Sequence, residues 1–178
     1  DENTGHLTSN SPPRVEPEEE LGPRHFCFHP TLDILYFSNE QDCSVSGYRL
    51  DTATGTLSLF QTITTLPEGY TERNTCSQIQ VSASGRFLYA PNRGHNSIAC
   101  FSVDTSTGQL TATGRVASEA IPNALSLDPQ DKFLFSAGQE SGRMASFSVN
   151  PDSGELTPME TYLLGDRPVW VSIAELPG

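Results

Sequence analysis

Positive charge is scarce in this chain. Ten Lys and Arg stand against 22 Asp and Glu over 178 residues, a formal net charge of -12. Without clustered positive charge there is little to neutralise a nucleic-acid backbone or an anionic lipid surface, so neither nucleic acid nor membrane is an expected partner. No apolar run approaches the ~20 residues of a spanning helix, and no basic-then-apolar leader opens the chain; it reads as soluble. Asp1 rather than Met stands first, which leaves the compartment open. Cysteine is sparse too. Cys27, Cys43, Cys76 and Cys100 lie in no CxxC or Cys/His spacing of the kind zinc requires, and no metal or other cofactor is expected. Cys27 and Cys100 sit inside apolar runs and read as small core residues, while disulfide pairing among the four stays open. Asn74-Thr75-Cys76 is a weak glycosylation acceptor, since the usual sequon ends in Ser or Thr. A Gly-rich phosphate loop and a Ser/His/Asp order are also missing.

What is present is a repeat. Thr54-Gly55-Thr56-Leu57 recurs as Thr107-Gly108-Gln109-Leu110 and Ser153-Gly154-Glu155-Leu156, with an earlier copy at Thr4-Gly5-His6-Leu7. Before each later copy lies a short strand-like stretch that ends in an acid or amide, at Asp51, Asp104 and Asn150. Upstream again come an aromatic-rich strand and, before it, an opening strand: His25 to Phe28, Gln78 to Val81, Ala124 to Leu127. Four short strands per unit, separated by Gly, Pro, Asn and Asp turns and with no long helical period, describe one propeller blade. The expected fold is all-β: a β-propeller with about three complete four-stranded blades at 22–66, 73–117 and 120–164. Residues 1–21 read as the outer strand of a preceding blade followed by an acidic Pro-rich loop, and 165–178 as a trailing inner strand. A ring escapes the edge-strand problem by closing, and three blades with two odd strands amount to about half of one. A second chain, either the missing half or another copy, is therefore an expected partner.

The meander sorts its connections onto two rims. One rim collects Gly22 to His25, Glu40 to Asp42, Arg73 to Gln78, Asn92 to His95, Ile121 to Asn123, Gln139 to Arg143, and Asp166-Arg167. Arg24, Arg73, Arg93, Arg143 and Arg167, half of all Lys and Arg, fall there together with His25 and His95. In so acidic a chain, arginines gathered at a channel mouth point to an anionic ligand held by forked hydrogen bonds. The other reading is that each Arg tethers a neighbouring loop through a carboxylate.

Gly22-Pro23-Arg24-His25-Phe26-Cys27-Phe28-His29-Pro30, Leu35-Tyr36-Phe37-Ser38-Asn39-Glu40, Ser84-Gly85-Arg86-Phe87-Leu88-Tyr89-Ala90, Asn92-Arg93, Ala137-Gly138-Gln139 and Arg167-Pro168-Val169-Trp170-Val171 occur in this order. In these motifs the chain resembles the lactonase-type seven-bladed propeller family, which includes propeller-type 6-phosphogluconolactonases and carboxy-muconate lactonizing enzymes. The resemblance runs from about Gly5 to the end and corresponds to the C-terminal half of a ring. It implies metal-free hydrolysis of a sugar lactone, with His25 as acid/base, Arg73 for the oxyanion or a phosphate, and Glu40 orienting His25 or a water. Arg93 also matches a position suited to oxyanion or phosphate binding, and Arg24, Gln78, Asn123, Gln139 and Arg167 complete the expected substrate-binding set. Two departures stand out: Gln78, where the family pattern leads one to expect a carboxylate, and Asn123 after Pro122, where relatives often carry Arg. An amide cannot act as a general base.

Two function classes follow. One is a 6-phosphogluconolactonase-like hydrolase, cytoplasmic if metabolic, acting on an anionic sugar lactone. The other is a non-catalytic, lectin-like propeller of the same fold, secreted, in which Gln78 and Asn123 hydrogen-bond a carbohydrate ligand. In either class His25 also reads as a plain hydrogen-bonded channel histidine. Trp170 and the strand phenylalanines read as core between blades.

Overall fold

The computed structural model describes residues 3–17 and 20–175. Twelve strands form three four-stranded antiparallel sheets, with no helix among the described residues. The first sheet holds β1 (Pro23–Phe28), β2 (Ile34–Asn39), β3 (Ser44–Asp51) and β4 (Thr56–Thr64). In the second are β5 (Gln80–Val81), β6 (Phe87–Asn92), β7 (Ser97–Val103) and β8 (Leu110–Ala117). The third comprises β9 (Pro122–Leu127), β10 (Phe133–Gly138), β11 (Arg143–Val149) and β12 (Leu156–Leu163). Strand order follows chain order in every sheet, so each is a meander, that is, a blade.

Period-2 alternation decides how the blades stack. In the middle blade, Phe87, Tyr89, Ile98 and Cys100 turn one way and pack with Leu125, Leu127, Leu134 and Phe147 of the third blade. Their neighbours Leu88, Ala90, Ala99 and Phe101 turn the other way, onto Ile34, Tyr36 and Val45 of the first. The middle blade is thus covered on both faces and its β6 is buried throughout. The end blades are not, and here the expectation of core aromatics needs correction. Phe26 and Phe28 on β1 and Trp170 are more than half exposed, because their faces have no neighbouring blade within this chain. For the same reason neither 3–17 nor 165–175 forms a strand. An outer or inner strand needs the rest of its blade to pair with.

The Thr-Gly-Xaa-Leu repeat turns out to be a latch between blades. At each copy the preceding acid or amide caps the turn: Asp51 Oδ1 accepts from Ala53 and Thr54 N–H, Asp104 Oδ1 from Ser106 and Thr107, and Asn150 Oδ1 from Asp152 and Ser153. The N–H bonds from Thr54 and Ala53 hold the Asp51 carboxyl below the usual carboxylate range, and the Ser106 hydroxyl, followed by the Thr107 and Ser106 N–H groups, does the same for Asp104. The turn glycine has positive φ, and its carbonyl receives a buried tyrosine from the blade before: Tyr36 Oη donates to Gly108 O at 2.7 Å, and Tyr89 Oη to Gly154 O at 2.8 Å. Tyr36→Phe and Tyr89→Phe should each cost about 1–2 kcal/mol, since a buried carbonyl is left unpaired. Chemical denaturation of the full chain checks this through a lower midpoint at unchanged slope.

β5 is shorter than the expected Gln78 to Val81. Continuing the register Gln80↔Tyr89 would set Gln78 opposite Pro91, which has no N–H to give the ladder. Pairing resumes one residue out of step at the Cys76↔Asn92 bridge.

Candidate active site

A repeated local structure builds one rim. After the second strand of each blade the chain turns, and the first turn residue donates its N–H to a residue ahead of the inner strand: Glu40 to Gly22 O, Arg93 to Thr75 O (next to the isolated Cys76 bridge), and Gln139 to Ile121 O, all at 2.8–2.9 Å. Glu40, Arg93 and Gln139 are therefore structural equivalents in successive blades. The inner strands carry a matching irregularity. In β1 the register steps between Pro23 and His25, leaving Arg24 unpaired; in β9 Ala124 opposes Ala137 but Pro122 opposes Gly138, leaving Asn123 out. Bulges of this kind re-aim a side chain at the end of a strand.

The rim encloses a cleft of about 420 Å³ lined by Glu40, Arg73, Asn74, Arg93, Ile121 and Gln139, among others. Glu40 lies between two guanidinium groups. It makes a close ion pair with Arg93 and a looser one with Arg24 at 3.8 Å. Arg93 also donates to Cys76 O at 3.2 Å and reaches Asn123 Oδ1 at 3.5 Å. Even so, Arg24 Nη1 and Arg93 Nε are buried with no hydrogen-bond partner among the described residues. Buried donors without acceptors are costly unless something accepts from them. Burial, and next the nearby Arg93, lower the Arg24 pKa.

His25 stands beside this group. Burial and then the charge of Arg24 lower its pKa from the ordinary histidine value, and Glu40 opposes them. Both effects favour the neutral ring, the form that accepts a proton. Its centroid is 6.4 Å from that of Trp170. Because the folded pKa lies below the unfolded one, stability falls as pH drops from the unfolded value of about 6.5 through the folded value. Arg24→Ala should raise the His25 midpoint and Glu40→Gln lower it. A ring-proton NMR titration of the chain reads both, and movement in the same direction would remove the assignment.

The other sequence candidates separate. Arg167 lines an adjoining cavity of about 350 Å³ that shares Ile121 and Gln139 with the first. Ile121 holds a φ of 54°, a left-handed conformation that β-branched residues rarely adopt. Gln78 is elsewhere: its Oε1 accepts from Leu125 N at 2.9 Å, and it lines a different cavity together with Trp170. Gln80 makes the same bond one step on, to Leu127 N. The amide at 78 thus stitches two inner strands together. Arg143 follows the tether reading, 3.8 Å from Glu119. Asn74, read only as a weak glycan acceptor, is a rim organiser. Its Oδ1 accepts from Gly94 and His95 N–H while its Nδ2, the atom a glycan would need, donates to Asn92 and to the Cys43 sulfur. No run of sequence marks that role, since its partners come from the β2–β3 turn of one blade and from the end of β6 and the turn after it in the next. No group of His, Cys, Asp and Glu suited to a metal occurs among the described residues, and no helix long and apolar enough to cross a membrane occurs among them.

The family model of the seven-bladed lactonase propeller matches residues 1–173. The chain belongs to that family. It is 34% identical over 173 residues to the 6-phosphogluconolactonase of Pectobacterium carotovorum subsp. carotovorum, and 31% identical over 172 residues to that of Pectobacterium atrosepticum. Each match covers 97% of this chain and 52% of the relative, so the chain spans about half the length of these curated lactonases. Among solved structures, the periplasmic gluconolactonase of Pseudomonas aeruginosa superposes with a TM-score of 0.85 at 27% identity, over 90% of this chain and 45% of that one. A Lactobacillus plantarum protein gives 0.84 at 29% identity, over 88% and 46%.

Proposed function

We propose that this chain forms the C-terminal half of a propeller that hydrolyses a phosphorylated sugar lactone, the remaining blades being supplied by the rest of a longer polypeptide or by a second chain. The observation that carries this reading is the pair of buried guanidinium donors, on Arg24 and Arg93, left without protein acceptors beside His25, whose neutral form is favoured. Lactone hydrolysis needs a base for the attacking water, donors for the oxyanion, and an anchor for the distal anion. His25 takes a proton from water as its oxygen attacks the lactone carbonyl. Negative charge that develops on the carbonyl oxygen meets the Arg93 and Arg24 N–H groups. The ring C–O bond then breaks, and the departing alkoxide takes the proton back from His25, giving a hydroxy acid. Glu40 keeps the two guanidinium groups in place, and Arg73, unpaired with any carboxylate among the described salt bridges, binds the phosphate with Gln139 and Arg167. Gln78 takes no part in proton transfer. The names of the Pectobacterium relatives supply the substrate class.

The test is turnover by the completed ring of 6-phosphogluconolactone and of its unphosphorylated counterpart. Arg73→Ala should raise KM for the phosphorylated lactone about tenfold while sparing kcat, the signature of lost uniform binding. Equal effects on both substrates would show that Arg73 does not hold the phosphate, and no turnover of either would remove the reading.

A further inference from the structure

Behind the cleft lies a pair of buried thiols that the hydrolytic reading does not use. Cys43 sits in the turn between β2 and β3 at a φ of 57°, and Cys76 at the isolated bridge ahead of β5. They belong to different blades, yet they share one polar cluster. Asn74 Nδ2 lies 3.2 Å from the Cys43 sulfur and 2.9 Å from Asn92 Oδ1, which is 3.7 Å from the Cys76 sulfur. Thr65 Oγ1 is 3.3 Å from the Cys76 sulfur and 2.8 Å from Cys43 O. Glu40 O draws them closer still: it lies 4.0 Å from the Cys43 sulfur and accepts from Cys76 N–H at 3.1 Å. By contrast, Cys27 and Cys100 face apolar neighbours, and burial pushes each up to about 12.

We propose that Cys43 and Cys76 are a reversible dithiol/disulfide couple, oxidised by peroxide, that staples the first blade to the second at the back of the cleft. Asn74 Nδ2 donates to the Cys43 sulfur, a bond that favours its thiolate, whereas Cys76 is fully buried, so Cys43 is the attacking thiolate and Cys76 the resolving thiol. Asn74 lines the cleft as well as touching the Cys43 sulfur, which gives a small oxidant its approach. Cys43 sulfur attacks one peroxide oxygen; an S–O bond forms, the O–O bond breaks and hydroxide leaves. Cys76 sulfur then displaces the sulfenic oxygen, giving up its proton, and water departs as the S–S bond forms. In total two thiols lose two electrons and one peroxide becomes two waters. The rim feels the staple directly, because Cys76 N–H donates to Glu40 O and Cys76 O accepts from Arg93.

The full chain, treated with hydrogen peroxide and then alkylated, supplies the test. Four free cysteines should become two, with peptide mapping placing the bond between Cys43 and Cys76 and dithiothreitol restoring all four. The thermal midpoint should rise by about 10 °C on oxidation. Cys76→Ser should leave Cys43 as a sulfenic acid that dimedone traps, and a Cys27→Ser, Cys100→Ser double variant should still form the bond. Four alkylated thiols after peroxide, or a bond that includes Cys27 or Cys100, would overturn the proposal. The wild-type mapping decides it even if a variant fails to fold.

Discussion

His25→Gln in the completed ring is expected to lower kcat/KM for the lactone by about 10²–10⁴, the usual worth of a positioned acid/base. Glutamine retains hydrogen bonding but cannot exchange a proton, so the loss should fall on kcat, with KM nearly unchanged. In the unmodified protein, activity should fall on the acid side as His25 takes up its proton, at a pH below the ordinary histidine value, because burial and Arg24 both favour the neutral ring. Arg24→Ala should move that limb upward, toward about 6.5, besides slowing the reaction. A His25→Gln enzyme that keeps full activity with the same acid limb would assign the base elsewhere.

Gly154→Ala is expected to destabilise the chain by about 3 kcal/mol, lowering Tm by about 6–12 °C. Two effects combine. The backbone there has a φ of +70°, and an added Cβ would lie 2.3 Å from the Phe87 ring in the adjacent blade, within the core between blades. Gly55 tests the division between them, for it occupies the same turn with nearly the same φ, but its nearest neighbour is the end of the Asn10 amide at 3.1 Å. Gly55→Ala should therefore carry only the conformational part, about 1 kcal/mol. Differential scanning calorimetry of the two variants reads the difference. Equal losses would mean that the latch between blades contributes nothing.

Strand order, blade count and family were legible because they rest on local chemistry. Asp51, Asp104 and Asn150 cap their turns, Gly55, Gly108 and Gly154 supply the positive φ that follows, and short apolar runs bounded by turn residues mark the buried strands β2 and β6. Arg93, Arg73, Glu40 and Gln139 were predicted on one rim, and the fold brings them to one cleft. The shortening of β5 is not legible from Pro91 alone, since its effect depends on which residue lies opposite. The partners of Gln78 and Asn74 were hidden for the same reason.

By itself, then, the sequence determined the repeat, the meander and the set of charged residues at the rim, because turn geometry and alternation depend on neighbours a few positions apart. Only the tertiary structure decided that Glu40 pairs with Arg93 and Arg24, that Gln78 is taken up by Leu125, and that Cys43 and Cys76 share one polar cluster. Each of those contacts joins different elements, mostly of different blades, and so depends on how the sheets stack, which no local pattern encodes.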